Sequence, residues 1–287
     1  MLHRVALVTC AELPDLDDDD RLLRAELEAR GVEVAPAVWD DPAVEWDGFD
    51  LAVLRSPWDY ASRRDEFVAW ARTVPRLLNG AEVVAWNTHK GYLRDLAAAG
   101  VPVVETDWYE PGERFTPRDG AYVVKPAVSA GSKDTGLYRP GDETLAADLA
   151  ARILASGRTV MVQPYLESVA TAGETALLFF GDGRGSPAFS HAARKGPMLT
   201  GPDRGGDELF VAEVITARQP GADELAVAEA ALAAAPDGLL YARVDLIRGD
   251  DGSPVIVELE LTEPSCFLST SEGAAGRFAD AISARLR

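Results

Sequence analysis

Acidic side chains are clustered in the segment LLYARVDLIRGDDGSPVIVELELTEPS near the C-terminus. The segment has the pattern of two strands joined by a Gly-containing turn. If the strands pair, alternation brings the carboxylates of Asp245, Glu258 and Glu260 together, with Arg243 beside Asp245. Converging carboxylates repel one another unless cations lie between them, and such oxygen ligands suit Mg²⁺ accompanied by substrate phosphates. The competing interpretation is an antiparallel hairpin with one solvated, charged face.

The same alternation assigns the apolar residues of the second strand to its two faces. Val257, Leu259 and Leu261 share one face in this pattern. Ile256 falls on the opposite face with the two glutamates.

A second candidate site lies in AYVVKPAVSAGSKDTGLYRP, where a predicted strand ends near Lys125 and a loop of small residues follows. The loop contains Ser129, Gly131 and Ser132. Glycines let backbone N–H groups approach phosphate oxygens, and a lysine adds a point charge. Neither the GxxxxGK[ST] order nor the GxGxxG fingerprint is present in the segment. An ordinary hairpin connection is the alternative.

A third candidate site is LRSPWDY, which follows an apolar strand in the N-terminal part of the chain. Strands alternate with helices in this part, which predicts a parallel, Rossmann-like sheet. Ligands bind beyond the carboxyl ends of such strands. Arg55, Ser56, Trp58 and Tyr60 are therefore candidates for holding a small substrate that carries a carboxylate. The alternative is a surface loop whose Trp58 covers the core.

The surrounding elements follow from periodicity and from helix start and stop signals. The acidic run from Asp17 to Asp20 is interpreted as a helix start that complements the helix dipole, in preference to a metal cluster. AEVVAW is predicted to be a strand, followed by an Asn-Thr turn, a helix that begins near Lys90, and a further strand, GVPVVET. His191 is interpreted as structural, because a lone histidine is more often structural than catalytic.

Composition restricts the classes of function. The chain has 287 residues, a formal net charge of -19 and two cysteines. The negative charge disfavours nucleic acid or an anionic membrane surface as a partner and leaves small molecules as the expected ones. Cys10 and Cys266 are expected to be packing residues. The short apolar run at the N-terminus does not resemble a secretory leader, so a cytoplasmic protein is expected. The apolar faces of the N-terminal helices permit a homodimer without requiring one.

Taken in order, these motifs resemble those of ATP-grasp ligases. Lys90 precedes a GVPVP-like strand, Lys125 lies in a VVKP strand, and the segments QPYLE, GE, RVD and ELELTEPS follow. The chain resembles most closely the actinobacterial ATP-grasp ligases of the D-cycloserine synthetase kind, and more distantly D-alanine ligases and glutathione synthetases. The resemblance implies a role in antibiotic biosynthesis.

The resemblance also implies the fold and its division. An α/β (α+β) ATP-grasp fold is expected, with a Rossmann-like domain over residues 1–86. A small lobe and nucleotide lid are expected over residues 87–165. A C-terminal lobe with the Mg²⁺ and substrate site is expected over residues 166–287.

Site residues carried over from the family fall into three groups. The expected ATP-binding residues are Lys90, Lys125, Ser129, Gly131, Ser132, Gln163, Tyr165, Leu166, Glu167 and Glu174. The expected Mg²⁺ ligands are Asp245, Glu258 and Glu260, which favour two ions because a glutamate replaces the family's asparagine at position 260. The residues expected to face the transferred phosphate or the substrate are Arg243, Arg194, Lys195 and Ser265, the last of which replaces the family's glycine.

The reaction implied by this family begins with attack of a substrate carboxylate on the γ-phosphate of ATP. An amine then displaces phosphate from the acyl phosphate and forms an amide bond. No side-chain nucleophile is required, and the sequence offers no persuasive Cys/His or Ser/His/Asp arrangement. Two alternatives remain: ring closure within one molecule, as in D-cycloserine synthetases, and a regulatory protein that binds ATP without turnover.

Overall fold

A computed structural model describes residues 2–131, 133–197, 199–203, 205 and 214–286. Three β-sheets follow one another along this part of the chain. None of the helices within it has the length and apolar character needed to span a bilayer.

The first sheet is parallel, as the alternation of strands and helices predicts. Its strands are β1 (Arg4–Thr9), β2 (Glu33–Val38), β3 (Leu51–Ser56) and β4 (Leu77–Leu78), in the order β2-β1-β3-β4. The helices of this region are α1 (Asp18–Ala29), α2 (Arg64–Ala71) and α3 (Ala81–Asn87). The acidic start of α1 is confirmed, because the side chain of Asp17 accepts a hydrogen bond from the backbone N–H of Asp20.

The prediction of a strand at AEVVAW is wrong, since these residues form α3. Its valines are β-branched and favour strands when the segment is considered alone. In the structure, the buried residues of the helix are Val83, Val84 and Asn87, which recur at helical spacing. Packing of this face against the core therefore outweighs local propensity.

The second sheet is antiparallel and belongs to the predicted small lobe. Its strands are β5 (Asp107–Tyr109), β6 (Tyr122–Pro126), β7 (Gly136–Tyr138) and β8 (Val160–Pro164), in the order β5-β8-β6-β7. Helix α4 (Tyr92–Ala98) precedes the sheet, and α5 (Glu143–Ala155) packs against β6, β7 and β8. The predicted strand GVPVVET forms a single β-bridge, between Val103 and Ile256.

The third sheet is antiparallel and carries the acidic hairpin at one edge. Its strands are β9 (Glu174–Phe180), β10 (Ala188–Lys195), β11 (Ile215–Arg218), β12 (Tyr241–Arg248) and β13 (Pro254–Glu260), in the order β11-β10-β9-β12-β13. Its helices are α6 (Ser168–Ala172), α7 (Ala222–Ala234) and α8 (Ala274–Arg285). Because α8 packs on α1, the core around the first sheet includes residues from the C-terminal end of the chain.

A bulge in the hairpin reverses part of the predicted alternation. Asp245 pairs with Glu258, whereas Leu246 pairs with Ile256, so Val257 is the extra residue in β13. Ile256 consequently lies in the apolar core with Leu259, and Val257 lines a cavity with Glu258. The prediction that Ile256 shares a face with the glutamates is therefore wrong. A bulge cannot be read from a pattern of period two.

Asn79 fixes the position of the hairpin relative to the first sheet. Its side chain is 1% exposed. Its Nδ2 donates to the carbonyl oxygens of Tyr241 and Leu261, at 2.9 and 2.6 Å, and its Oδ1 accepts from the N–H of Leu240 at 2.7 Å. One amide therefore satisfies three backbone groups that have no access to water.

Replacement of Asn79 by alanine is expected to lower the free energy of unfolding by on the order of 3 kcal/mol, because three buried backbone groups lose their partner. Urea unfolding followed by fluorescence measures this change. Gln219→Ala, at an exposed position, is the matched control and should leave stability unaltered. A loss below about 1 kcal/mol for Asn79→Ala would contradict this role.

Candidate active site

A cavity of about 380 Å³ is lined by residues from all three sheets or the segments that follow them. Trp58 and Tyr60 follow β3, Lys125 ends β6, and Glu258 lies on β13. Of the candidate sites in the sequence, the acidic hairpin, the lysine strand and the LRSPWDY segment therefore all contribute to one cavity.

Asp245 is the most deeply buried charge beside this cavity. It has no exposed surface and is bound by two cations. Lys195 Nζ lies 2.9 Å from its Oδ2, and Arg243 Nε lies 2.9 Å from its Oδ1. Burial opposes ionisation, but Arg243 and Lys195 hold the pKa of Asp245 below its usual value. Lys195 also pairs with Glu174, 3.1 Å away.

The two predicted phosphate-binding lysines differ in their partners. Lys90 Nζ lies 2.9 Å from Glu258 Oε1 and 3.2 Å from both the carbonyl and the hydroxyl oxygen of Ser129. Lys125 is 8% exposed, and within the described residues no carboxylate forms an ion pair with it. Burial lowers the pKa of Lys125. Lys125 is thus a desolvated cation beside an open cavity, which favours an anionic ligand.

Glu260 is the carboxylate of the hairpin whose negative charge is least stabilised by its surroundings. It is hydrogen-bonded to Arg243 Nη2. Burial, with Glu258 and Asp245 nearby, raises the pKa of Glu260 to about 8. The negative charge of Glu260 is therefore the least stabilised of the hairpin, and a further cation beside it would stabilise that charge.

These carboxylates suit Mg²⁺ in a particular way. Within residues 2–131, 133–197, 199–203, 205 and 214–286, no group of three or more His, Cys, Asp or Glu side chains is placed to hold a metal ion. Mg²⁺ is usually held by one or two carboxylates together with substrate phosphates, so a complete protein cage is not required. The oxygen donors and the raised pKa of Glu260 fit such a shared site.

Several of the residues predicted to bind ATP line the cavity. They are Lys90, Lys125, Ser129, Gly131, Gln163, Tyr165, Leu166 and Glu174. Glu167 does not line it; its side chain is exposed and lies 3.8 Å from Arg139. Ser132 lies outside the described residues.

Only part of the LRSPWDY segment, which was predicted to bind substrate, lines the cavity. Trp58 and Tyr60 line the cavity with Ser265, whereas Arg55 and Ser56 do not. Arg55 is 1% exposed, and its Nε donates to Asp20 Oδ1 at 2.7 Å. The Ser56 hydroxyl is likewise buried and lies 3.1 Å from the hydroxyl of Thr9. The prediction that Arg55 and Ser56 contact substrate is therefore wrong, because both side chains are buried and hydrogen-bonded to other parts of the protein.

Arg194 is also away from the cavity, unlike its neighbour Lys195. Its guanidinium donates to the carbonyl oxygens of Ala172 and Thr171, at the end of α6. Gly173 follows with φ +73°, and a Cβ there would lie 2.3 Å from the carbonyl oxygen of Lys195. Arg194 therefore does not face the cavity as expected. It holds the end of α6 against β10, where Gly173 contacts the backbone of Lys195.

Two carboxylates of the cavity wall were not predicted from the sequence. Asp17 follows β1, and Glu263 follows β13; both line the cavity. Burial raises the pKa of each to about 7. Ligands bind beyond the carboxyl ends of parallel strands, and this rule could have identified Asp17, because it lies in the loop after β1.

His191 is buried and donates from Nε2 to the carbonyl oxygen of Cys266, as expected of a structural histidine.

Comparison with known proteins places the chain among ligases. The D-cycloserine synthetase DcsG N-terminal domain family matches residues 5–79. The cycloserine biosynthesis protein DcsG of Streptomyces lavendulae is 40% identical over 302 aligned positions, which cover 99% of each chain.

Solved structures agree with this relationship. The crystal structure of D-cycloserine synthetase DcsG is 39% identical, covers 99% of this chain and 100% of its own, and superimposes with a TM-score of 0.88. D-alanine–D-alanine ligase from Bacillus anthracis, 14% identical with 99% and 96% coverage, shares the fold with a TM-score of 0.64. An ATP-grasp RimK domain protein from Sphaerobacter thermophilus, 19% identical with 98% and 99% coverage, does so with a TM-score of 0.68. The chain therefore belongs to the D-cycloserine synthetase DcsG family of ATP-grasp ligases.

Proposed function

We propose that this ligase activates the carboxylate of a small amino acid with ATP and closes the resulting acyl phosphate onto an amine of the same molecule. The observation that carries the proposal is the set of alternating charges on the cavity wall, where Lys90, Lys195 and Arg243 are paired with acidic groups. Such a set can hold phosphates and stabilise the negative charge of the transferred group.

The nucleotide is proposed to occupy the side of the cavity formed by the second sheet. Gln163, Tyr165 and Leu166 offer backbone groups and apolar surface for a flat base. Lys125 has no ion-pair partner in the described part of the chain, so phosphate oxygens would relieve its desolvation. Lys90 lies next to Ser129, which brings the small-residue loop to the same phosphates.

Two Mg²⁺ ions are proposed to accompany the nucleotide. Without ligands, the acidic and basic groups of the cluster balance in formal charge: Asp245, Glu258, Glu260 and Glu174 against Lys90, Lys125, Lys195 and Arg243. A triphosphate adds several negative charges that these cations cannot neutralise alone. Asp245, Glu258 and Glu260 would hold the ions, which would supply positive charge to neutralise the phosphates.

The substrate is proposed to occupy the side formed by Trp58, Tyr60 and Ser265. Arg243 connects the two sides, because it pairs with Asp245 and Glu260 and donates from Nη1 to the carbonyl oxygen of Ser265 at 3.1 Å. It can therefore orient the substrate carboxylate and stabilise the acyl phosphate. Since ATP is available inside the cell, we propose that the enzyme acts in the cytoplasm.

Ring closure is favoured over joining two molecules by the full-length relationship to a D-cycloserine synthetase. Amide formation between a separate acid and amine is the second candidate function. It requires a second substrate to be held beside the acid and the nucleotide. A regulatory role without turnover is disfavoured by the retained Lys90, Lys125, Arg243 and Asp245, which a protein that only binds ATP does not need as a set.

The direct test of ring closure uses the ring-opened, hydrolysed form of D-cycloserine as substrate, with ATP and Mg²⁺. The enzyme is expected to produce D-cycloserine and ADP in equal amounts, measured by mass spectrometry and a coupled ADP assay. Asp245→Asn should reduce ADP release by about 100-fold or more, since it removes a buried charge from the phosphate side.

Glu28→Gln, at an exposed position of α1, is the control for loss of a carboxylate and should keep full activity. ADP release that requires an added amine, without D-cycloserine formation, would replace ring closure with intermolecular ligation. Binding of ATP with no ADP release from any amino acid would refute ligase activity.

Replacement of Lys125 by methionine keeps a long side chain but removes its charge. The affinity for ATP is expected to fall about tenfold or more, because a desolvated cation contributes strongly to phosphate binding. The ATP-dependent increase in melting temperature reports this loss. Arg114→Met, at an exposed position in the same lobe, should preserve the increase. An unchanged ATP affinity for Lys125→Met would place the phosphates elsewhere.

A further inference from the structure

Glu263 differs from the other acidic residues of the third sheet in its partners. Asp245, Glu258 and Glu260 each form an ion pair. Glu263 lines the same cavity, and its carboxylate forms no ion pair with the described residues. Its neighbour is the phenol of Tyr60, a neutral group that also lines the cavity. A neutral neighbour leaves this carboxylate able to accept a proton, whereas a cation would oppose protonation.

The backbone of Glu263 is held firmly beside the substrate side of the cavity. Trp58 Nε1 donates to its carbonyl oxygen at 3.0 Å. Pro264 follows and fixes the next backbone angle, and Arg55 Nη2 donates to the Pro264 carbonyl oxygen at 2.8 Å. Arg243, which is proposed to contact the activated carboxylate, donates to the next carbonyl, that of Ser265. Glu263 is therefore fixed close in sequence and space to the proposed reaction centre.

The histidines, two of the lysines and another carboxylate near the cavity are less suited to accept a proton. None of the three histidines of the chain lines it. Lys90 and Lys195 are paired with carboxylates, and Glu258 holds the pKa of Lys90 above its usual value against the effect of burial. The carboxylate of Asp17 accepts the N–H of Asp20 at 2.7 Å and caps α1. Glu263 is the carboxyl group of this wall that neither a cation nor a helix N-terminus engages within the described residues.

We propose that Glu263 is the general base that accepts the proton of the attacking amine in the second half of the reaction. This role rests on the proposed ligase function. The amine nitrogen bonds to the acyl carbon, the bond from that carbon to the phosphate oxygen breaks, and phosphate departs with the electron pair. The nitrogen then carries an excess proton, which passes to Glu263 and from there to phosphate or water.

The surroundings of Glu263 suit such a transfer near neutral pH. Burial raises the pKa of Glu263 to about 7, against the opposing effects of Tyr60, Lys90 and Arg243, and Glu258 raises it further. A base works best when its pKa lies near the operating pH, because it must both accept and release the proton. Tyr60 keeps its own proton, since burial and Glu263 raise the pKa of the phenol well above its usual value.

Glu263→Gln separates the two half-reactions. The variant receives the ring-opened form of D-cycloserine with ATP and Mg²⁺, with and without excess hydroxylamine. Hydroxylamine attacks the acyl phosphate and forms a hydroxamate. The proton released by the attacking hydroxylamine passes to buffer, so this reaction does not require Glu263. D-cycloserine formation is expected to fall about 100-fold or more, the usual contribution of a general base, while hydroxamate formation stays within about threefold of the unmodified enzyme.

Glu263→Asp should recover part of the ring closure, because it restores a carboxylate at shorter reach. Glu272→Gln, an exposed residue in the following segment, is the matched control and should leave both products unchanged. If Glu263→Gln keeps ring closure, or loses hydroxamate formation as well, the base assignment is overturned. If the unmodified enzyme yields neither D-cycloserine nor hydroxamate, the proposed ligase function itself fails, irrespective of Glu263.

Discussion

Six consecutive backbone carbonyls, those of residues 261–266, each accept a hydrogen bond from a side chain of another part of the chain. In order of the accepting residue, the donors are Asn79, Tyr241, Trp58, Arg55, Arg243 and His191. The segment has left the sheet and has no strand partner, so these side chains supply the bonds that a buried backbone requires. Since the donors come from the first and third sheets and the segments after them, this short stretch connects these two sheets and carries Glu263 and Ser265 into the cavity.

The charges of the cavity depend on the same arrangement. Arg243 donates to the Ser265 carbonyl and also pairs with Asp245 and Glu260. Its guanidinium is a rigid fork, which allows one side chain to fix a carbonyl and two carboxylates at once. Buried ion pairs are expensive to form, and their desolvation cost is commonly not recovered as stability. The cluster is therefore better understood as a site prepared for phosphates than as a device that stabilises the fold.

Much of the fold was predictable because it depends on local patterns. The apolar run of β1, the leucines of α1 and the helical spacing of α5 need no tertiary information. The errors occur where packing decides. The strand predicted at AEVVAW became α3, and the bulge at Val257 moved Ile256 into the core. Among site residues, Lys90, Lys125 and Glu258 were found by their motifs, whereas Asp17 and Glu263 are brought together only by the topology.

Arg55 and Glu260 illustrate two limits of interpretation by residue type. Arg55 has the chemistry of a carboxylate binder, but Asp20 and the Pro264 carbonyl already occupy its donors. Its guanidinium also lies over the rings of Tyr241 and Phe278. Its contribution to the site is indirect, since it holds the segment that presents Glu263 and Ser265. Glu260 has the chemistry of a metal ligand, but burial raises its pKa to about 8 even though Arg243 is paired with it. An amide at this position would remove the ion pair between Arg243 and residue 260 while leaving the pair with Asp245, so Glu260 would increase the need for divalent cations at the proposed nucleotide site.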